Sequence, residues 1–115
     1  MIGIETIVES DRWRAALGGV EALAARCFEA ARLGEPRLGG EIALLLADDA
    51  ALRALNARFR GKDAPTNVLS FPSGEEAPGF LGDIAVAFET AAREADEKGI
   101  ALADHAAHLI VHGLL

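Results

Sequence analysis

Ile42-Ala43-Leu44-Leu45-Leu46 is the stretch that most narrows what this chain can become. With Ala47 it makes a run of apolar residues bounded by Glu41 and by Asp48-Asp49, which leaves no polar side for a surface strand, so the run predicts a strand covered on both faces. Such a strand needs other strands beside it and helices across it. The flanking sequence supplies both. Ile2, Ile4, Thr6 and Val8 alternate with Gly3, Glu5 and Ile7, the two-residue period of a strand with one face on a core. Asn67-Val68-Leu69-Ser70-Phe71 reads as another, closed by Pro72, which cannot donate to a sheet ladder. Leu81 to Phe88 reads as a fourth, with Ile84, Val86 and Phe88 on one face and Asp83 on the other.

Helical periods separate these runs. Ser10 and Asp11 offer caps to a helix from Arg12, whose stripe of Trp13, Leu17, Val20, Leu23, Ala24, Cys27, Phe28 and Ala31 is kinked or broken once, at Gly18-Gly19. Gly34-Glu35-Pro36 ends it. Asp48 and Asp49 cap the next helix, where Leu52, Leu55 and Phe59 point inward and Arg58 and Arg60 suit the carbonyl end. Ser73 to Gly79 reads as a loop, and a short helix from Glu89 to Lys98 stops at Gly99. The order β, α, β, α, β, β, α, α predicts an α+β fold, helices on a small mixed four-stranded sheet, in one domain spanning 1–115.

Composition bounds the chemistry. A formal net charge of −7 excludes broad, non-specific nucleic-acid binding, so any polyanion contact must be local. No apolar run is long enough to span a bilayer, and Met1-Ile2-Gly3-Ile4-Glu5 has no basic start before a hydrophobic core. A cytoplasmic protein without a membrane partner is expected. Cys27, the single cysteine, cannot form an internal disulfide and reads as a small buried hydrophobe.

The final stretch, Ala101 to Leu115, holds all three histidines. At helical spacing His105, His108 and His112 fall within about 60° of one another, beside an apolar stripe of Leu102, Ala106, Leu109 and Gly113. His108 and His112, four apart, can converge on one cation, but a hydrolytic zinc site takes three protein ligands and a water, so the pair is incomplete. The alternative is a helix with imidazoles at the edge of its buried face. The apolar ending Leu109-Ile110-Val111-His112-Gly113-Leu114-Leu115 needs something to pack against, and suggests a chain cut short.

Three segments go beyond pattern: Arg58-Phe59-Arg60-Gly61-Lys62-Asp63-Ala64-Pro65-Thr66-Asn67-Val68-Leu69-Ser70-Phe71-Pro72, then Leu81-Gly82-Asp83-Ile84, then His108 to Leu115. In order and spacing, from about Leu44 onward, they resemble the YbeY family of bacterial rRNA maturation factors. The resemblance implies a zincin-like fold with the metal-site helix at the C-terminal end. It implies a zinc-dependent endoribonuclease, a hydrolase acting on single-stranded ribosomal RNA in maturation of the small-subunit 3′ end and in ribosome quality control. His112-Gly113-Leu114-Leu115 resembles the opening of the family's metal motif, whose second and third histidines would fall beyond Leu115. His112 is then one Zn2+ ligand, and His108 a supporting residue, packed or hydrogen-bonded behind the site.

Arg60 is the candidate catalytic residue, because a guanidinium meets the charge of a phosphoryl transition state with two parallel hydrogen bonds. Without the resemblance, Arg60 reads as a helix-end cation paired with an acid such as Asp63. Lys62, Thr66, Asn67 and Ser70 are candidates for binding RNA, and Asp83 for supporting a neighbouring histidine or arginine. Arg58, Arg60 and Lys62 on an otherwise acidic surface would admit a flexible single strand sooner than a duplex. The nuclease reading requires Arg60 and His112 to border one cleft. Its competitor is a non-catalytic module that docks on the ribosome or a protein and uses metal only as a clamp; ending at Leu115, the chain would itself be metal-poor and inactive.

Overall fold

A computed structural model describes residues 3–34, 41–72 and 80–114. β1 (Gly3–Val8), α1 (Arg12–Leu17), α2 (Val20–Gly34), β2 (Glu41–Ala47), α3 (Asp49–Arg60), β3 (Val68–Pro72), β4 (Phe80–Ala87), α4 (Phe88–Lys98) and α5 (Leu102–Leu114) follow in that order. The expected ending at Glu35-Pro36 and the expected loop at 73–79 lie outside the described residues. The four strands form one mixed sheet in the order β1-β2-β4-β3. β1, β2 and β4 are parallel, with Leu44 beside both Thr6 and Ile84, and β3 runs antiparallel along β4 at the edge.

The parity of the strands sorts the core. Even-numbered side chains, among them Ile42, Leu44, Leu46, Ile84 and Val86, face a layer built from α1, α2 and α5 that contributes Trp13, Phe28, Ala106 and Ile110. Odd-numbered ones, Leu45, Ala47, Leu69, Phe71, Ala85 and Ala87, face α3 through Leu52 and Leu55. β2 is therefore apolar throughout because both faces meet protein, but α3 covers only part of the second. An open trough of about 330 Å³ remains there between Ile7, Ala43, Leu45, Phe59 and Phe71.

Local chemistry explains the element ends. The Asp48 carboxylate accepts from Ala51 N–H at 2.8 Å and caps α3. Gly61 and Gly99 end α3 and α4 in the left-handed conformation that a side chain disfavours. The interruption at Gly18-Gly19 is a true break, dividing α1 from α2. Phe88 was expected on the fourth strand and instead opens α4, because the chain turns at Ala87; its ring lies 5.1 Å from Trp13, edge to face. α4 has no cap of its own. Asp49 supplies one by accepting from Thr90 N–H and Oγ1–H at 2.9 and 2.8 Å, while Glu89 accepts from Asp49 N–H at 2.9 Å, so two helix starts satisfy each other.

Candidate active site at the edge strand

β3 organises the site because its two sides meet different helices. Val68 packs with the α5 layer and Leu69 and Phe71 with the α3 layer. Ser70, of the same parity as Val68, donates its hydroxyl to the carbonyl of Gly113 at 3.1 Å. Gly113 also lies tight against the sheet: a Cβ built there would lie 3.1 Å from Ile84 Cγ2, tighter than ordinary packing. The residue after His112 is thus held from two directions. His112, in the last turn of α5, is exposed.

The three imidazoles do not share one environment. His105 is 3% exposed, whereas His108 and His112 are exposed. His105 Nε2 lies 2.9 Å from Glu94 Oε1, and a carboxylate only accepts, so Nε2 carries the proton. Its Nδ1 is buried without a hydrogen-bond partner. The supporting role expected of His108 is not seen: it makes no hydrogen bond among the described residues, because its direction on α5 leads to solvent. His105 is the histidine that packs.

Glu94, which the sequence did not single out, also accepts from Asn67 Nδ2 at 3.2 and 3.4 Å. Burial works to raise its carboxyl pKa. The hydrogen bonds from His105 and Asn67, with the charges of His105 and Lys98, outweigh this and hold it below the ordinary glutamate value.

Of the expected RNA-binding residues, three are turned to internal use. Asn67 binds Glu94, Ser70 binds Gly113, and Thr66 donates weakly to Val68 O at 3.4 Å. Each hydroxyl or amide donates to an acceptor that the folded chain brings within reach. Asp83 supports neither a histidine nor an arginine among the described residues. Its odd position on β4 points it to the trough, away from α5, and it is exposed.

Arg60 and Lys62 are exposed and have no ion-pair partner among the described residues. Asp63, the acid expected to engage Arg60, binds Arg53 instead at 2.7 Å. Arg58 lies 5.1 Å over the Phe59 ring, which in turn meets Phe71 edge to face at 5.4 Å. A local cationic end of α3 results, on a chain whose net charge is −7. α3 and α5, which carry Arg60 and His112, pack on opposite faces of the sheet, and β3 and β4 are the strands both touch.

A sequence profile described as Endoribonuclease YbeY matches residues 8–115. The chain belongs to this family. Among curated relatives named Endoribonuclease YbeY, that of Maricaulis maris is 46% identical over 119 residues, covering 100% of this chain and 72% of the relative. One from Rhodopseudomonas palustris is 45% identical, covering 96% and 62%, and that of Rhodospirillum rubrum 49%, covering 90% and 60%. The chain therefore spans roughly two thirds of its YbeY relatives' length. The solution structure of TM1509 from Thermotoga maritima matches with a TM-score of 0.65 at 22% identity, over 96% of this chain and 69% of that one, and shows the same fold. The α+β architecture read from the sequence is that of a solved relative in shape.

Metal ligation is a separate matter. Among the described residues no group of three or more His, Cys, Asp or Glu side chains is arranged to hold a metal ion. These residues alone do not make up a zinc centre. His112 offers one exposed imidazole. No helix among the described residues is long and apolar enough to cross a membrane.

Proposed function

We propose that this chain provides the scaffold of an endoribonuclease that cleaves single-stranded RNA, with ribosomal RNA, in maturation of the small-subunit 3′ end and in ribosome quality control, as its substrate. The observation that carries this reading is the pairing, within one YbeY-family match, of an exposed histidine fixed beside β3 with unpaired cations at the end of α3. α3 and α5 pack on opposite faces beside the edge strand β3, so a substrate engaging the ends of both would pass over a sheet edge. A flexible single strand can bend around such an edge and a stiff duplex cannot. Arg60 would meet the charge that builds on the phosphoryl oxygens, with Lys62 adding attraction for the backbone. Zn2+, one per chain, is the proposed cofactor, with His112 as one ligand; bound zinc would supply a Lewis acid and an activated water. The ribosome is the proposed partner and the cytoplasm the proposed location.

Cleavage of a labelled single-stranded ribosomal RNA fragment and of its duplex form, before and after chelation and zinc repletion, tests the reading. Single-strand cleavage should be lost in the chelated protein, and both Arg60→Ala and His112→Ala should cut it by at least about a hundredfold. Normal turnover by both variants overturns it.

A further inference from the structure

The sheet separates the cationic end of α3 from the helix that carries His112, so something must hold their relative placement. We propose that Glu94 is a positioning residue that ties the two together: its carboxylate binds Asn67, where the segment from Arg60 enters β3, and His105, on the helix of His112. This inference rests on the ribonuclease reading for its catalytic consequence but not for its geometry.

Four observations carry it. Glu94 bonds both partners, His105 at 2.9 Å and Asn67 at 3.2 and 3.4 Å, although they belong to different elements. Asn67 is fixed at its backbone as well, its carbonyl accepting from Ala87 N–H at 2.9 Å, so a change in its side chain acts on a defined strand entry. His105 is 3% exposed with Nδ1 unpaired, and Glu94 is the one hydrogen-bond partner of its ring among the described residues. A buried imidazole held by one bond is oriented by that bond. Finally, Ser70 and Gly113 make a second tie between β3 and α5 at the other end of the helix. Two polar ties, one near each end of α5, set both its distance from β3 and its angle. A helix fixed at only one end can swing, and small displacements of reacting groups cost much rate.

Glu94 acts through Asn67 and His105 and not by touching a reacting atom. Asn67→Ala is the sharpest test, because it leaves α4 and α5 intact and reaches α5 through Glu94. Glu94→Gln keeps size while weakening both bonds, and Glu97→Gln, whose carboxylate pairs with Arg93 on the surface of the same helix, is the control. The readouts are the ring resonances of His105 and His112 by NMR, thermal unfolding, and kcat and KM for single-stranded RNA. Asn67→Ala and Glu94→Gln should shift the signals of both rings in the folded protein and lower kcat by roughly tenfold to a hundredfold with KM within about twofold. Glu97→Gln should do neither. Lower thermal stability with unmoved His112 signals and unchanged kcat overturns the proposal, leaving Glu94 a purely structural bond. Should the wild-type protein cleave no RNA, the ribonuclease reading fails by itself, and the ring signals alone decide whether the coupling exists.

Discussion

The two faces of the sheet have been built to different standards. On the face of α1, α2 and α5, Trp13, Phe28, Leu44 and Ile110 are sealed from solvent, and Trp13 Nε1–H closes the layer by donating to Ala47 O at 2.9 Å. On the other, α3 covers part of the sheet, and Ile7 and Phe59 stay 45% and 58% exposed beside the trough. The closed face supplies stability and a fixed seat for His112. The open face carries the unpaired cations, in a setting where little packing is lost if a side chain changes. Function at β3 depends on both, since the strand is shared.

Neighbouring leucines on β2 give the largest test of this contrast. Leu44→Ala, on the closed face, should cost about 2 to 5 kcal/mol in denaturant unfolding, whereas Leu45→Ala, facing the partly open side, should cost about 1 to 2 kcal/mol because water already reaches it. Equal losses would break the distinction between the faces. Gly113→Ala sharpens it. Replacing a helix glycine gains about 1 kcal/mol, but the new Cβ meets Ile84, itself 2% exposed and unable to retreat. Overpacking of about 1 to 3 kcal/mol should leave the variant less stable by about 1 kcal/mol; a more stable variant would show that α5 is not pressed onto β4.

The pH dependence of the tie at β3 comes next in size. Its hydrogen bonds hold the Glu94 carboxyl below the ordinary glutamate value near 4.5, so the folded state binds this proton less readily than the unfolded chain. The stabilisation is complete above that value and fades as pH falls through the lower, folded-state value. The stability difference between wild type and Glu94→Gln should therefore shrink on titration below about pH 4.5, and a constant difference would remove the carboxylate from the account. The smallest effect belongs to Ile7→Thr on the open face, where unfolding free energy should change by no more than about 0.5 kcal/mol.

Much of the fold is legible in the residues themselves, because it is local. The continuous apolar run at β2, the cap at Asp48, the glycine stop at Gly99 and the break at Gly18-Gly19 each act within a few neighbours, and each appears where its chemistry demands. Phe88 shows the limit: alternation favours continuing the strand, but the turn at Ala87 is set by Trp13 and by the shared capping with α3. The candidate site is less legible. Helical spacing gives the angle between His105 and His112 but not which of them faces inward, and chemistry at a strand edge gives no sign of where a side chain will find its acceptor. Asn67 and Glu94 are 27 residues apart, Ser70 and Gly113 are 43 apart.

The order of residues determined the elements, their caps and the α+β layering, and it carried the family motifs around Arg60 and His112. Tertiary structure alone decided that the helices of those two residues lie on opposite faces of the sheet, that His105 rather than His108 is buried, and that Glu94 binds both Asn67 and His105. The reason is physical: periodicity and capping arise from interactions within one or two turns of chain, whereas a buried polar group takes whichever partner the folded layers bring within hydrogen-bond reach.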